Sequence, residues 1–382
     1  MDFTYTHEQQ QFSDALRRWC ERDYTFEHRK KIVTSDSGTS DAAWATLTEL
    51  GMLALPIPEE QGGFNGAAID MQVVMHEIGR GLIIEPYFST VFGAQFLKLA
   101  GGHDALLARV AGGELKLACA LGEKQSRHDL FDIATTAAPA GDGYVLNGSK
   151  TVVLHGAQAE LLIVSARSSG AQRDTAGISV FAISRDTAGV QVRDYRTIDS
   201  QRAADITLAN VHVPATALLG SVGGGWELID AAADYAITLL CGEAVGAMEA
   251  LNNATLDYLK TRQQFGAPIG KFQALQHRMA DMFMHLEQAR SITTLAAMKV
   301  ASLDATERRR TVSAAKARVG QAMKYVGQQA VQLHGGMGVT NELPAAHHFK
   351  RLTMIELTLG DTDHHLARFV AQPGFKNAVA SA

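Results

Sequence analysis

Apolar residues recur at helical spacing through the first third of the chain. Phe12, Leu16, Trp19 and Cys20 fall on one helix face. A second helix is predicted through Trp44, Leu47 and Leu50 to Gly51, and a third from Asp70 to Gly79 with Val73, Val74 and Ile78 together. From about Leu117 the period shortens. Tyr144-Val-Leu-Asn, Leu161-Leu-Ile-Val, Ile178-Ser-Val-Phe-Ala-Ile, Val190-Gln-Val and Ile206-Thr-Leu are short β-rich runs, with a hairpin signal at Asp142-Gly143. They predict an all-β insert, a small barrel or sandwich, ending near Pro214. From about Trp226 the helical period returns. Met248, Leu251, Leu256 and Leu259 mark one helix, and Leu275, Met279, Met282, Phe283 and Leu286 a second. Val319, Met323, Val326, Ala330 and Leu333 mark a third, closed by Gly335-Gly336. Long helices of this kind suggest a four-helix bundle. The expected fold is α+β and multidomain. It has a helical N-terminal domain over 1–116, a β-barrel domain over 117–222 and a helical bundle over 223–382.

Composition narrows the function. A net charge of −5 argues against nucleic acid, whose phosphates need a concentrated basic face. Arg308, Arg309 and Arg310 follow Asp304 and Glu307 and read as a solvated helix end or loop. Cys20, Cys119 and Cys241 are far apart, which fits a reducing compartment without structural zinc. The run Ala231–Val245 is broken by Asp234, Thr238 and Glu243, so no membrane span is expected, and the protein is expected in the cytoplasm.

Several motifs have an ordinary explanation. Gly335-Gly336-Met337-Gly338 follows a helix and has the wrong spacing for a dinucleotide fingerprint, so a helix C-cap suffices. Gly223-Gly224-Gly225 reads as a linker. His347-His348 and His364-His365 are adjacent pairs, whose side chains diverge by about 100° on a helix, a poor metal arrangement. Arg262-Gln-Gln-Phe-Gly-Ala-Pro-Ile-Gly-Lys-Phe-Gln-Ala-Leu-Gln is different. A helix ending at Phe265-Gly266 and restarting after Pro268 leaves Arg262, Phe265, Gln273 and Gln276 unexplained.

That segment resembles the R-x-x-F-G-x-x-I-x-x-F-Q motif of acyl-CoA dehydrogenases. Gln332-Leu-His-Gly-Gly-Met-Gly resembles their Q-x-x-G-G-x-G signature, and Tyr144-Val-Leu-Asn-Gly-Ser-Lys their barrel hairpin. Pro58-Glu-Glu-Gln-Gly-Gly and the opening Met1-Asp-Phe-Thr fit as well, so the matches run in order over nearly the whole chain. Arg80-Gly-Leu-Ile-Ile-Glu-Pro-Tyr and Gly360-Asp-Thr-Asp-His-His-Leu-Ala-Arg look closest to small subunits of pimeloyl-CoA dehydrogenase-like enzymes.

The resemblance implies FAD, an acyl-CoA substrate and a site built across subunits. A carboxylate would take the α-proton while hydride passes to flavin N5, and hydrogen bonds would polarise the thioester carbonyl. It assigns the adenine and pyrophosphate end of FAD to Arg262, Phe265, Gln273, Gln332, Gly335 and Gly336. The flavin end falls on Val153, Leu154 and Thr362. Here the pattern departs from the family. Gly122-Glu123-Lys124 stands where members carry T-E-P, and Val152-Val153-Leu154 where they carry W-I-T. The usual catalytic glutamate falls on Leu359, which keeps only its backbone N–H, and the alternative base position on Ala236. Asp361 and Glu243 are the substitutes. Each has a second reading, Asp361 as a helix cap and Glu243 as a buried carboxylate with a basic partner.

Retained pyrophosphate residues beside a lost base imply a subunit of a heteromeric dehydrogenase whose glutamate-bearing partner supplies the base. The alternatives are a self-sufficient dehydrogenase using Asp361, a flavin monooxygenase of the same fold and a flavin-free structural protein. A homo-oligomer, dimer or tetramer, or a hetero-oligomer is expected. The apolar positions of the helix 317–333 point the same way. Electron-transfer flavoprotein is the expected acceptor.

Overall fold

A computed structural model describes residues 5–373. The opening Met1-Asp-Phe-Thr lies outside the described residues. The chain divides into two compact units, one of residues 1–30, 68–83 and 237–382, the other of residues 31–67 and 84–236.

The helical unit holds α1 (His7–Arg22), most of α2 (Phe26–Thr34), α4 (Ala68–Gly81) and all of α7 beyond Ala236 (α7, Gly225–Thr261). Four further helices complete it: α8 (Gln273–Lys299), α9 (Ala305–His334), α10 (Pro344–Leu357) and α11 (Thr362–Val370). The bundle therefore has one helix more than the expected four after the strand-rich domain. α1 starts on a capping box in which Thr6 and Gln9 satisfy each other's backbone N–H. α4 and α7 cross at van der Waals range because both carry glycine at the crossing. A Cβ on Gly79 would strike the Glu243 carbonyl, and one on Gly246 the His76 carbonyl. Arg308–Arg310 lie inside α9, whose N-cap is Asp304.

The apolar positions of α9 were expected to need a second chain. In the structure Val319, Met323, Val326, Ala330 and Leu333 are all buried within this chain, since α8, α10 and α11 cover them. Four exposed apolar residues, Phe283, Met284, Leu295 and Met298, sit on α8 instead.

The second unit holds α3 (Asp41–Glu49), α5 (Tyr87–Ala100) and α6 (Asp104–Ala111) with an eight-stranded sheet. The strands are β1 (Leu117–Ala120), β2 (Thr136–Ala140), β3 (Gly143–Leu154), β4 (Leu161–Arg167), β5 (Ile178–Ser184), β6 (Val190–Arg196), β7 (Arg202–Pro214) and β8 (Leu218–Leu219). Their order is β6-β7-β3-β2-β4-β5-β8, with β1 parallel to β4. Ala140 pairs with Gly143, so the hairpin turn is Gly141-Asp142, one residue before the Asp142-Gly143 signal. β1, β2 and β8 escaped the pattern search because they are short. The core of the sheet gathers Leu146, Val153, Leu162, Val164, Phe181, Ile206 and Val211. Among the described residues no helix is long and apolar enough to cross a membrane.

Candidate functional site

The first part of the site forms where α7 ends. α7 stops at Thr261, and the Arg262 carbonyl accepts the Ile269 N–H at 2.9 Å. A short hairpin results, pairing Gln263-Gln264 with Ala267-Pro268. Phe265 (φ +54°) and Gly266 (φ +76°) are its two turn residues. Two successive positive φ values are what a tight hairpin turn requires, so this pair turns a hairpin and does not end the helix. Phe265 is 91% exposed, touching Phe272 edge-on.

Beside the hairpin a cavity of about 610 Å³ opens, lined by Arg262, Gln332, Gly335 and Gly336 together with Tyr258 and Arg278. Four residues from two separate motifs thus meet. Gly335 caps α9 at φ +59°, and a Cβ on either glycine would touch nothing. For Gly336 the chain itself gives no reason for glycine, whereas a ligand lying against the backbone does. Arg262 has no ion-pair partner among the described residues, and its side chain is exposed. A cationic, amide-lined cradle of this kind suits a pyrophosphate. Phe265 and Gln273 stand outside the lining, Phe265 at the hairpin tip and Gln273 exposed as the first residue of α8.

The second part is the loop between α10 and α11. Leu359 adopts φ +55° and Gly360 φ +108°. Asp361 is the N-cap of α11, its Oδ1 accepting the His364 N–H at 2.8 Å. The Thr362 N–H and hydroxyl both donate to Glu356 Oε1, at 2.8 and 2.7 Å. Lys316, 1% exposed, reaches the loop from α9 and donates to the carbonyls of Glu356, Thr358 and Gly360 at 3.0, 3.0 and 2.6 Å. Burial draws its ammonium down to about 8. The Leu359 carbonyl accepts from His365 Nε2 at 2.9 Å.

Glu243 lies 2% exposed on α7 and accepts two hydrogen bonds from Arg351 of α10, at 2.5 and 2.8 Å. Arg351 is itself 5% exposed. A buried fork-to-fork pair occupies both oxygens of Glu243, so it is bound in structure and not presented to a substrate. Ala236 is fully buried.

The strand-rich unit carries the third part. Glu123, Lys124 and Val152, from the two altered flavin-side motifs, line one cavity of about 760 Å³ with Arg127, Arg193 and Asp205. Glu123 is buried and pairs with Lys150 Nζ at 2.7 Å, and it also accepts the backbone N–H groups of Ala134 and Thr135. Burial would raise its carboxyl, but Lys150 and these bonds bring it to about 2. A register shift between Lys150 and Val153 puts Val152 outward, 53% exposed, and Val153 into the sheet core. The Val153 side chain therefore cannot contact a ligand on that face, and only its backbone is available. Leu154 is half-buried and pairs with Ala203.

Sequence reasoning missed Lys316, His365 and Arg351. Lys316 did leave a signal: it interrupts the apolar stripe of Val312, Val319 and Met323, where an unexplained charge marks a buried task.

Sequence models of the acyl-CoA dehydrogenase family match in order, the N-terminal domain over 6–102, the middle domain over 118–211 and the C-terminal domain over 223–372. The chain belongs to this family of oxidoreductases. It is 30% identical to the mitochondrial short-chain specific acyl-CoA dehydrogenase of Bos taurus over 327 residues, 82% of this chain and 78% of that one. Among solved structures, the ChsE4-ChsE5 complex of Mycobacterium tuberculosis superposes with TM-score 0.87 at 26% identity, covering 100% of both chains. PigA in complex with FAD superposes with TM-score 0.89 at 23% identity over 98% of this chain and 100% of that one, a likeness of fold. FAD complexes are thus among the structural neighbours of the family.

Proposed function

We propose that this chain takes part in FAD-dependent α,β-dehydrogenation of an acyl-CoA thioester as the base-lacking subunit of a heteromeric enzyme. One observation carries the reading. The residues suited to hold a pyrophosphate line an open cavity, while both base positions are apolar and both nearby carboxylates are already engaged, Glu243 by Arg351 and Asp361 by the α11 N-terminus. The solved ChsE4-ChsE5 complex, made of two named components, supports a two-chain assembly. Arg80-Gly-Leu-Ile-Ile-Glu-Pro-Tyr and the segment after Gly360 place the chain, on this reading, near the small subunits of pimeloyl-CoA dehydrogenase-like enzymes.

Arg262, Gln332, Gly335 and Gly336 hold the pyrophosphate side of FAD, and Phe265 and Gln273 approach it in the assembled oligomer. Val153 and Leu154 contribute backbone to the flavin side, with Thr362 at the loop. Bound there, FAD would supply the hydride acceptor for the acyl β-carbon. The Leu359 N–H polarises the thioester carbonyl, which acidifies the α-proton. The partner subunit's glutamate removes that proton, and electron-transfer flavoprotein takes the electrons onward.

The test is stopped-flow bleaching of the flavin by a panel of acyl-CoA thioesters, with the isolated chain and with the partner co-purified from the native host. The isolated chain should bleach slowly or not at all, and the complex rapidly. Rapid bleaching by the isolated chain, abolished in Asp361→Asn, makes Asp361 the base and this a self-sufficient enzyme. Oxygen consumption with reduced flavin and no response to acyl-CoA makes it a monooxygenase.

A further inference from the structure

The loop Thr358–Asp361 has an unusual division of its backbone groups. Its carbonyls point inward and are taken: Thr358 and Gly360 by Lys316, Leu359 by His365, and Asp361 by the His365 N–H at 3.0 Å. The N–H groups of Leu359 and Gly360 have no acceptor among the described residues. Consecutive amides in a turn with positive φ form a concavity that attracts negative charge. Leucine at φ +55° is disfavoured by about 1 kcal/mol or more, so something must hold it there.

Two side chains are built to do so. All three N–H bonds of the Lys316 ammonium end on carbonyls, two of this loop and one of Glu356 just before it. One helical turn further along α9, Gly320 lets the segment lie close, since a Cβ there would strike Thr362 Oγ1. A carbonyl can only accept, so His365 must carry its proton on Nε2. Its Nδ1 is left buried without a partner. An apolar residue at 316 would fill the space as well, but it would strand three carbonyls.

We propose that Lys316 and His365 are positioning residues that turn the carbonyls of Thr358–Gly360 inward and so hold the Leu359 and Gly360 N–H groups as an oxyanion-directed pair. This rests on the thioester reading of the site. It adds the second donor, Gly360, and the two side chains that aim both.

The probe is acetoacetyl-CoA on the FAD-loaded protein. Its α-carbon lies between two carbonyls, so it ionises to an enolate when its oxygen is polarised, with solvent taking the proton. No hydride transfer and no protein base are needed. The readout is the pH midpoint of enolate absorbance. Wild type should lower this midpoint relative to free acetoacetyl-CoA. Lys316→Met should raise it by a pH unit or more, a tenfold loss of polarisation, with FAD content and affinity for CoA itself unchanged in the folded variant.

His365→Leu separates aim from charge. Burial drives the His365 imidazole down to about 2, so it is neutral at assay pH and its removal changes no charge. The midpoint should rise in this variant too. A folded Lys316→Met or His365→Leu with the wild-type midpoint overturns the proposal. Should neither variant fold, amide hydrogen exchange of wild type decides: acetoacetyl-CoA should slow exchange at Leu359 and Gly360, and enolate formation without slowing overturns the proposal. Wild type that fails to lower the midpoint at all brings down the thioester reading instead.

Discussion

The cradle at the end of α7 and the loop after α10 belong to the same helical unit and are made in opposite ways. In the cradle Arg262 has no ion-pair partner among the described residues, Gly335 and Gly336 face empty space, and Phe265 stands 91% exposed in a tight turn. Each feature costs the isolated chain something and returns nothing within it. In the loop region the carbonyls and most side chains are used, while the Leu359 and Gly360 N–H groups stay open among the described residues. Lys316 spends three hydrogen bonds, Glu243 and Arg351 satisfy each other, and Asp361 and Thr362 secure the start of α11. Open groups are free to meet a ligand, and closed ones hold a shape. On the proposed reading, the difference lets the loop carry leucine at 359 and still hold its backbone.

The largest expected effect lies in the loop. Leu359→Glu should raise the bleaching rate of the isolated chain on the order of 10²–10⁴-fold, the usual contribution of a general base. No gain would mean that the loop lacks more than a carboxylate. Next, Arg351→Met should cost about 3–5 kcal/mol in urea unfolding, because it removes one partner of a buried ion pair. Adding Glu243→Gln should recover much of that loss. The cradle should behave in the contrary way. Arg262→Ala should leave stability within about 0.5 kcal/mol of wild type. It should weaken FAD binding about a hundredfold, some 2–3 kcal/mol. Unchanged FAD affinity would remove the assignment.

Acid and base should act on another closed cluster of the same unit. His76 bridges Glu77 at 3.2 Å and Glu249 at 3.3 Å, with Arg17 on Glu77 and Arg290 on Glu249. The His76 bond leads in bringing the Glu249 carboxyl to about 2. Burial opposes the shift at Glu77, yet His76 and Arg17 bring it to about 2 as well. Burial also works against the His76 imidazole, but the two carboxylates raise it. The carboxylates stabilise the fold above their unfolded value, near 4.3, and lose this as pH falls toward 2. The imidazole stabilises below its unfolded value, near 6.5, and loses this as pH rises through its higher folded value. Thermal midpoints should therefore fall on both sides of a window between roughly pH 4.5 and 6.5. His76→Gln should flatten the alkaline side and soften the acid side as well, because Glu249 and Glu77 both lose the partner that lowers them most. The smallest effect belongs to Asp361. Asp361→Ala should cost about 1 kcal/mol through the lost N-cap, and Asp361→Asn close to nothing.

The three-part architecture was legible because each region repeats one period long enough to be read. The missed strands were short, and the hairpin at Gly141-Asp142 was placed one residue late because Asp142-Gly143 is the commoner signal. The cradle was legible only through the resemblance, since Arg262 and Gln332 lie far apart in sequence and only the fold brings them to one cavity. Val153 was assigned to the flavin side, but the bulge in β3 turns its side chain into the core. No pattern of alternation reports a bulge.

The sequence by itself determined the order of helical, strand-rich and helical regions, the apolar residues at 359 and 236 and, through the resemblance of its motifs, the family. These are properties of periodicity and residue type, which need no coordinates. Only the tertiary structure decided which of the remaining acidic groups are engaged. Glu243 meets Arg351 across 108 positions of chain, and Lys316 meets Gly360 across 44. A carboxylate or an ammonium reads the same in sequence whether it is exposed or enclosed. Its chemistry depends on what surrounds it, and long-range packing alone supplies that.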